Sequence, residues 1–340
     1  MTAGLYALGG ASIVIENLAD QLGRRGVDVT IGALMFKRVP PKGAYDVSAI
    51  PVGNVLKLKK FLDGFDIVHN HHPIMNYLSL ISRKPFIYHY HGAPNFGKGN
   101  LFRFSMLSSI KITSHRFDAI IAVSETGCAE LKQYFNLNKI HVVYNGVDTN
   151  LFKPGLDERF RKGTPQYLFV GNLYEHKKVE ELILALEKLV RTYPKAHLQI
   201  VGGGYTCAKL ENLVHRLNLQ KHVSFAGFVL HSVLPYYYSS CDVYVTGSRC
   251  ELFPLPLLEA WACSKPVAAS SVPGHAELLH RSNAGRLYKT GNIGDLYAKM
   301  MTTYEYRDGF KRNALSFARE HDWSVVADRV LRIYAQILHN

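Results

Sequence analysis

The 340-residue chain contains no run of about 20 uncharged apolar residues, which a membrane-spanning helix requires. Its first residues also lack the basic segment and apolar run of a secretory signal, so no such signal is expected. Cysteine is scarce and never has Cys-x-x-Cys spacing; it occurs at Cys128, Cys207, Cys241, Cys250 and Cys263. Scattered cysteines of this kind are typical of a reducing compartment. The sequence therefore predicts a cytoplasmic protein.

Acidic residues are missing from one long tract. No Asp or Glu occurs in the 51 residues between Asp66 and Asp118. The tract contains six basic residues, which are Arg83, Lys84, Lys98, Arg103, Lys111 and Arg116. Lys57, Lys59 and Lys60 lie just upstream, and the net charge of the whole chain is +13. Such a charge is compatible with a nucleic acid, an anionic membrane or a phosphorylated substrate as partner.

Short apolar runs alternate with amphipathic stretches along the chain. The predicted strands of the first half are Val27–Met35, Asp66–Asn70, Phe86–His91, Ala119–Val123 and Ile140–Tyr144. Those of the second half are Tyr167–Val170, His197–Val201, Val223–Ala226, Asp242–Thr246 and Pro266–Ser270. Helical patterns lie between them, among them Ser12–Arg24, Leu101–Arg116 and Glu180–Thr192. This alternation and the chain length predict an α/β protein of two doubly wound, Rossmann-like domains facing a central cleft.

The alternation stops once, over a polar stretch from Asn145 to Gln166 that contains Gly, Pro and charged residues. We therefore expect a first domain at 1–150, a linker at 151–165, a second domain at 166–320 and a last segment at 321–340. The first domain begins unusually, because only Met1–Ala3 is available as a strand before the turn at Gly9 and Gly10. Two interpretations stay open: the domain lacks most of its first strand, or the natural chain begins upstream.

The stretch ELFPLPLLEA carries two carboxylates, Glu251 and Glu259, around an apolar segment. Pro254 and Pro256 fit the first turn of a helix, so we predict a helix over Leu255–Cys263 with Glu251 in the loop before it. That loop follows a predicted strand, and ligands bind at the carboxyl ends of parallel strands. Both carboxylates are then candidates for binding one polyhydroxylated ligand. The simpler alternative is a surface glutamate and a helix glutamate held in ion pairs.

Several blocks in the same order resemble the retaining GT-B glycosyltransferases of the "glycosyl transferases group one" family. The central block, SRCELFPLPLLEAWACSKPVAASSVPGHAEL, has the family's two glutamates and its Pro-Val and Gly positions. The other blocks are FDAIIAVSE, YNGVDTNLF, FVGNLYEHKKVEELILAL, LQIVGGGY and VSFAGFV. The resemblance covers nearly the whole chain. It implies transfer of a sugar from a nucleotide diphosphate sugar to an acceptor hydroxyl, with retention at the anomeric carbon.

The resemblance also implies roles for individual residues. The catalytic set would be Lys177 at the diphosphate, Glu251 at the donor sugar and His91 at the end of a first-domain strand. The other donor-binding positions would be Glu259 at the ribose, Asn172, Gly9, Gly10, Phe253 and Leu255. Stretch 321–338 resembles the family's last helix, which crosses back to the first domain. No Asp-x-Asp pattern of the metal-dependent glycosyltransferases occurs, so we expect no metal or other cofactor to be required.

Three positions depart from the family pattern. Asn172 stands where the family usually has a diphosphate-binding Arg, and Lys178, His176 and Arg249 are the candidates to supply that charge. Lys178 itself replaces a glycine. Pro254 ends a Glu-Leu-Phe-Pro sequence where the family has Glu-Gly-Phe-Gly, and it removes a backbone donor.

Other interpretations of the sequence are also open. VGGGYTC resembles part of a dinucleotide fingerprint, although its final glycine position is Cys207 and no acidic residue follows at the required distance. The histidines of HNHH and HYH alternate along predicted strands and could hold zinc, or could simply pack and line a cleft. Within the resembling fold, the alternatives to a transferase are a nucleotide-sugar epimerase and a nucleotide-sugar-binding protein without activity.

The acid-free tract contains a predicted basic amphipathic helix within Gly97–Phe117. Leu101, Phe104, Leu107 and Ile110 fall at threefold spacing, with Phe102 and Met106 beside them. Such a helix can lie on an anionic membrane through Arg103, Lys111 and Arg116. The alternative is an apolar stripe packed in the core; a nucleic acid is not expected because no nucleic-acid-binding motif accompanies the charge. The sequence thus favours a peripheral membrane enzyme with a lipid or lipid-linked saccharide as acceptor.

Overall fold

The computed structural model describes residues 2–6, 10–36, 40–51, 53–92, 100–135 and 139–339. The chain forms two compact units. Unit 1 contains Met1–Gly146 and Trp323–Asn340, and unit 2 contains Val147–Asp322. The sequence placed these divisions at 150 and 320, a few residues away.

Unit 1 is a parallel α/β domain. Its strands are β1 (Thr2–Tyr6), β2 (Thr30–Phe36), β3 (Asp46–Ala49), β4 (Val68–Asn70), β5 (Phe86–Tyr90), β6 (Ala119–Ala122) and β7 (Ile140–Val142). Its helices are α1 (Gly10–Gly23), α2 (Val55–Asp63), α3 (Asn100–Thr113), α4 (Glu125–Tyr134) and, at the carboxyl end of the chain, α12 (Trp323–Leu338). Within the described residues the strands form one sheet in the order β3-β2-β1-β4-β5-β6-β7, with parallel pairings throughout.

The first strand is longer than the sequence indicated. β1 extends over Thr2–Tyr6 and pairs with β2 on one side and β4 on the other. Only Met1–Ala3 had been expected to be extended. Leu5 and Tyr6 continue the strand, and their partners on β2 are Met35 and Phe36. Pairing with a neighbouring strand therefore extends β1 to Tyr6.

Unit 2 repeats the same architecture. Its strands are β8 (Gln166–Val170), β9 (His197–Val201), β10 (Val223–Phe225), β11 (Val243–Thr246), β12 (Val267–Ser270) and β13 (Gly285–Tyr288). Its helices are α5 (Val179–Thr192), α6 (Cys207–Arg216), α7 (Leu234–Ser240), α8 (Leu255–Ala262), α9 (Pro273–Ser282), α10 (Ile293–Glu305) and α11 (Arg307–Glu320). In the described part of this unit the parallel strand order is β10-β9-β8-β11-β12-β13.

The predicted strands all exist, with ends shifted by up to three residues. Most are buried on both faces, as expected for parallel strands covered by helices. The apolar stripe predicted on α5 is confirmed, because Val179, Leu182, Ile183, Leu186 and Leu189 are all buried. These side chains belong to the core of unit 2 together with residues of β8, β9 and β11.

The polar stretch expected to be a linker is instead packed onto unit 2. Phe152 is buried, and its ring lies edge-on to Tyr238 with 5.7 Å between centroids. Arg161 forms an ion pair with Asp242, with 3.1 Å between Nη1 and Oδ2. Contacts of this kind hold a segment whose composition is that of a linker.

The last helix returns to unit 1, as the resemblance implied. Arg25, just after α1, donates from Nε to Asp328 Oδ1 of α12 at 2.7 Å. It also donates from Nη2 to the carbonyl of Ser324 at 2.9 Å. Across the described ranges, no helix combines the length and the apolar character needed to span a membrane.

The helix predicted within the acid-free tract is α3, and its buried side includes only part of the predicted apolar stripe, namely Ile110, with Met106 beside it. Met106, Ser109, Ile110 and Thr113 are buried, which is the i, i+3, i+4, i+7 spacing of a helix face. Phe104 of the predicted stripe is exposed. Because an α-helix turns 3.6 residues per turn, a strict threefold stripe drifts off one face, and burial follows the 3.6 period. Leu101, Phe102 and Arg103 have side chains outside the described residues.

Candidate active site

The catalytic candidates of unit 2 lie beyond the carboxyl ends of β8 and β11. These two strands are neighbours, and β9 lies on the other side of β8, so the strand order reverses here. Ligands of doubly wound sheets bind at such a reversal. The 3-10 turn Glu175–Lys177 follows β8, and the loop with Glu251 follows β11. Two segments far apart in the sequence therefore converge at the position where the fold binds ligands.

Lys177 and Glu251 form a direct ion pair, with Lys177 Nζ donating to Glu251 Oε1. Both side chains are mostly buried. Burial on its own would raise the pKa of Glu251, but Lys177, and then His275, more than offset this and hold that pKa below its ordinary value. The carboxylate is therefore ionised at neutral pH. The two residues assigned from the sequence to the diphosphate and the sugar are held together as one charged pair.

Glycines let the surrounding loops approach this pair closely. A Cβ at Gly274 would lie 2.3 Å from the carbonyl oxygen of Glu251, and one at Gly247 would lie 2.9 Å from that of Lys178. The backbone N–H of Arg249 donates to the carbonyl of His176 at 2.8 Å, which ties the two loops together. Any side chain at Gly274 would displace Glu251, so that glycine is required by packing.

Glu259 is buried in α8 with partners of its own. Tyr238 Oη donates to its Oε2 at 2.7 Å, and His231 Nε2 lies 3.5 Å from its Oε1. The helix begins at Leu255 and ends at Ala262, one residue short of the prediction, and Glu251 lies in the preceding loop as predicted. The tyrosine and the histidine were not predicted, because the YYYSS run has no spacing that marks it as a site. The two glutamates thus have separate partners, since Glu251 pairs with Lys177 and Glu259 accepts from Tyr238.

The cations near the departures from the family pattern have acidic partners. Lys178 Nζ lies 3.2 Å from Glu180 Oε1, and Arg249 pairs through Nη2 with Glu181. Arg249 Nη1 is buried and has no hydrogen-bond partner within the described residues, so it retains a donor for an anion. Asn172 is exposed just after β8. Of the three replacements considered for the missing arginine, Arg249 therefore has a side-chain donor that is not used within the described residues.

Lys178 adopts the left-handed conformation, with φ 51° and ψ 42°. A glycine usually occupies this position in the resembling family, and the structure gives the reason, because glycine reaches this region without steric cost. Lys178 also precedes α5 as its amino-terminal cap residue and provides no side-chain cap.

The remaining donor-binding candidates are placed as follows. Phe253 and Leu255 are buried beside Glu251 at the start of α8. Gly10 is exposed at the first position of α1, and Gly9 lies outside the described residues. Two of the three glycines of VGGGY have a packing role: a Cβ at Gly202 would lie 1.9 Å from the carbonyl oxygen of Gly171, and one at Gly204 would lie 2.3 Å from that of Leu173. This close approach between the loops after β8 and β9 explains these two glycines without a dinucleotide.

His91, the candidate of unit 1, follows β5 and precedes Gly92, whose φ is 108°. Its Nε2 lies 3.0 Å from Nδ1 of His71, and its ring stacks on that of His89 with centroids 4.6 Å apart. Burial lowers the pKa of His91 to about 4. A neutral imidazole is therefore present at neutral pH, which suits a hydrogen-bond donor or acceptor and not a fixed cation.

The basic candidates of unit 1 differ in their surroundings. Lys111 is exposed on α3. Arg116 is used inside the unit: its Nε and Nη2 donate to the carbonyls of Ser79 and Ser82, at 3.2 Å each. It therefore anchors the 3-10 helix Pro73–Leu80 as well as contributing charge.

Solved structures with the same architecture identify the fold class of this chain. The structure of sucrose-phosphate synthase from Thermosynechococcus elongatus aligns with a TM-score of 0.84 and 21% identity over 99% of this chain and 96% of that chain. Anabaena HepE in complex with UDP and glucose aligns with a TM-score of 0.81 and 20% identity over 98% of both chains. The fold is that of the GT-B glycosyltransferases.

Sequence comparisons then give the family. Residues 8–151 match the model described as Glycosyltransferase Family 4, and residues 157–316 match that of Glycosyl transferases group 1. A phosphatidyl-myo-inositol mannosyltransferase of Propionibacterium freudenreichii is 30% identical over 83% of this chain and 74% of its own length. An uncharacterized glycosyltransferase of Methanocaldococcus jannaschii is 28% identical over 96% of this chain and 94% of its own length. The chain belongs to the group 1 glycosyltransferases.

Proposed function

We propose that this protein transfers a sugar from a nucleotide diphosphate sugar to an acceptor hydroxyl, with retention of configuration at the anomeric carbon. The observation that carries the proposal is the Lys177–Glu251 pair at the strand-order reversal of unit 2. HepE, whose structure is similar in fold, has been solved with UDP and glucose. Family membership supports the transferase, and the geometry of this chain supports the roles of its residues.

Lys177 is assigned to the leaving group. A diphosphate that enters the site competes with Glu251 for the ammonium group, and its greater negative charge favours the exchange. As the bond between the anomeric carbon and the diphosphate breaks, negative charge develops on the departing oxygen. A preorganised ammonium group beside that oxygen stabilises the transition state. Arg249, through its unused Nη1, is assigned to the same diphosphate.

The carboxylates are assigned to the hydroxyl groups of the donor. Once Lys177 turns to the diphosphate, Glu251 is free to accept hydrogen bonds from the sugar. Glu259, already held by Tyr238, would accept from the ribose diol. His91, neutral at the end of β5, is assigned to a sugar hydroxyl. In this assignment both carboxylates accept hydrogen bonds from hydroxyl groups and neither transfers a proton, which suits retention driven by departure of the leaving group.

The reaction test uses purified protein with a panel of UDP-, GDP-, ADP- and dTDP-sugars, each with and without acceptor extracts. A transferase gives a glycosylated product only with acceptor, and without it only slow hydrolysis. An epimerase gives a new sugar nucleotide without any acceptor. Binding without turnover in every combination would support the inactive binding protein. The anomeric coupling constant of the product, measured by NMR, must equal that of the donor if configuration is retained.

The acceptor is proposed to be a lipid or lipid-linked saccharide, reached by a protein that is cytoplasmic and peripheral on the inner face of the membrane. In the 3-10 helix Pro73–Leu80, side chains three residues apart lie on one edge. Ile74, Tyr77 and Leu80 on that edge have 55%, 43% and 48% of their surface exposed. An apolar edge of this kind on a basic surface fits the boundary between lipid head groups and acyl chains.

Helix α3 extends the same surface. It packs on the 3-10 helix, where Asn76 Nδ2 and Ser109 Oγ lie 3.4 Å apart. Its Phe104 and Ile112 are 67% and 51% exposed, and Lys111 is exposed between them. Arg83 adds a further exposed cation, and the acid-free tract places no carboxylate here. One relative is named as a mannosyltransferase acting on phosphatidyl-myo-inositol, a lipid.

Co-sedimentation with vesicles tests the membrane proposal separately from the reaction. Binding is expected with anionic vesicles and should weaken as salt rises, because each cation near the surface contributes about 1 kcal/mol. The double variant Ile74→Ser, Leu80→Ser and the variant Lys111→Glu should each reduce binding. Tyr306→Ser, which removes an exposed aromatic of unit 2, is the matched control. If the protein binds neither anionic nor neutral vesicles, the membrane-binding surface is refuted and a soluble acceptor becomes the better proposal.

A further inference from the structure

Four histidines of unit 1 lie on adjacent strands with the same spacing. His69 and His71 flank Asn70 at the end of β4, and His89 and His91 flank Tyr90 at the end of β5. Residues two apart on a strand point to the same face. β4 and β5 pair in parallel with His69 opposite Ile87, a register that brings the four imidazoles together.

The rings form a compact stack, here called the histidine cluster (His69, His71, His89 and His91). The centroids of His69 and His71 are 4.4 Å apart, and those of His71 and His89 are 4.7 Å apart. His69 Nε2 lies 3.1 Å from His89 Nδ1. His69, His71 and His89 are all buried. The three buried rings therefore contact one another directly.

Two ring nitrogens of the cluster have unused hydrogen-bonding capacity. His71 Nε2 and His89 Nε2 are buried, and neither has a hydrogen-bond partner within the described residues. A buried polar atom without a partner is destabilising, so a cluster with two of them requires an explanation. The two atoms belong to different strands but to the same stack. A ligand that accepts electron pairs from several imidazoles at once would satisfy both.

We propose that the histidine cluster binds one zinc-like transition-metal ion through His69, His71 and His89. Each of these residues offers one ligand nitrogen, and the three nitrogens lie within 4.8 Å of one another. Tetrahedral zinc with Zn–N bonds of about 2.0–2.1 Å needs nitrogens about 3.3 Å apart. The nitrogens must therefore move closer together on metal binding, and the His69–His89 hydrogen bond is exchanged for bonds to the ion.

The surroundings supply an outer partner for one ligand. Tyr334 of α12 has its Oη 2.6 Å from Nδ1 of His69. A histidine that binds a metal through one nitrogen normally donates a hydrogen bond from the other, which fixes its tautomer and orientation. With Nδ1–H donating to Tyr334, Nε2 of His69 faces the cluster with its lone pair. The ion would then connect β4, β5 and α12, three elements distant in the sequence.

The donor set determines which ion fits. Imidazole suits Zn²⁺, Cu²⁺ and Ni²⁺, whereas Mg²⁺ and Ca²⁺ prefer oxygen ligands. Three protein ligands leave a fourth position open for water or an anion. The site does not depend on the proposed transfer reaction, since all of its ligands lie in unit 1 and none binds the donor diphosphate.

The test is titration of metal-stripped, tag-free protein with Zn²⁺ by calorimetry and with Co²⁺ by visible spectroscopy. We expect one ion per chain, a rise in melting temperature with added Zn²⁺, and intense d–d bands of four-coordinate Co²⁺. X-ray absorption of the zinc-loaded wild-type protein should count three imidazole nitrogens. A six-coordinate Co²⁺ spectrum would overturn the proposal. So would a dissociation constant for zinc weaker than about 100 µM, because a specific site should bind more tightly than that.

Variants locate the ion within the cluster. His71→Ala and His89→Ala should abolish the stoichiometric site, and Tyr334→Phe should weaken it about 10–100-fold. His91→Ala keeps all three ligands and should bind within a few-fold of wild type. His115→Ala removes an exposed histidine of the same unit and is the control for surface binding. Unchanged zinc affinity in folded His71→Ala would refute the site, and the wild-type spectra decide the question if that variant does not fold.

Discussion

Lys177 donates to Glu251 across 74 residues of sequence, so the candidate groups for the diphosphate and the donor sugar neutralise each other when no donor is bound. Each group protects the other from an uncompensated burial cost. A bound donor must therefore replace the ion pair with contacts from Lys177 to the diphosphate and from Glu251 to the sugar. Removing either residue should then have its own measurable effect on binding or transfer.

Removal of Lys177 and removal of Glu251 should have different effects on the affinity for a nucleoside diphosphate. Lys177→Ala should weaken the affinity for a nucleoside diphosphate by about 1.5–3 kcal/mol, because a charge-assisted contact is lost. Glu251→Gln should not weaken it, because the lysine loses its competitor, although sugar transfer should fall. Calorimetry with the diphosphate and a turnover assay measure the two effects. Lys188→Ala, an exposed lysine of α5, is the control, and equal losses in both site variants would contradict the exchange.

The ribose assignment predicts a dependence on the 2′-hydroxyl. Glu259→Gln should weaken binding of the ribonucleoside diphosphate more than binding of its 2′-deoxy form, because only the former presents both hydroxyls. Tyr238→Phe leaves the carboxylate in place and removes one hydrogen bond to it, so a smaller loss of about 1 kcal/mol is expected. Competition calorimetry with the two nucleotides gives the comparison. Identical losses for both nucleotides in Glu259→Gln would place this carboxylate away from the ribose.

The left-handed Lys178 predicts a stabilising substitution. Lys178→Gly should increase the free energy of unfolding by about 0.5–1 kcal/mol, because glycine adopts φ 51° without the steric cost that lysine bears. The ion pair with Glu180 is partly exposed, and its loss subtracts little. Urea unfolding measures the change. The same substitution inside α5, Lys188→Gly, should destabilise by about 1 kcal/mol, so a shared sign for the two variants would contradict this account.

A buried histidine beside the Lys177–Glu251 pair predicts acid sensitivity. His275 has Nδ1 3.0 Å from the carbonyl of Ser270, and burial lowers its pKa from 6.5 to about 4. Between these values the unfolded chain binds a proton that the folded protein does not, so unfolding free energy falls as pH decreases. One such group contributes a slope of up to about 1.4 kcal/mol per pH unit in this window, and stability is fully present above pH 6.5.

His275→Asn keeps a donor near the Nδ1 position and cannot titrate, so stability measured at pH 7, 6 and 5 should fall less steeply than in wild type. His280→Asn, on the exposed side of the same helix α9, controls for loss of a histidine. A slope for His275→Asn identical to that of wild type would show that the proton uptake comes from elsewhere.

Local patterns in the sequence determined the elements and their chemistry. The 3.6-residue period of α5 gave its buried face, and the alternation of strands and helices gave two doubly wound sheets. Pro254 and Pro256 marked the start of α8 and so placed Glu251 in a loop and Glu259 in a helix. These features depend on residues within a few positions of one another, which a sequence displays directly.

Contacts between distant segments were decided only by the tertiary structure. The pairing of Lys177 with Glu251 and the approach of Tyr334 to His69 join residues 74 and 265 positions apart. The extension of β1 to Tyr6 depended on pairing with β2, and the burial of Phe152 depended on Tyr238. In each case the energy comes from packing or pairing across the fold, which no local period encodes. The residue types of a segment determine which interactions its side chains can make. The order of the strands determines which other residues lie close enough to make them.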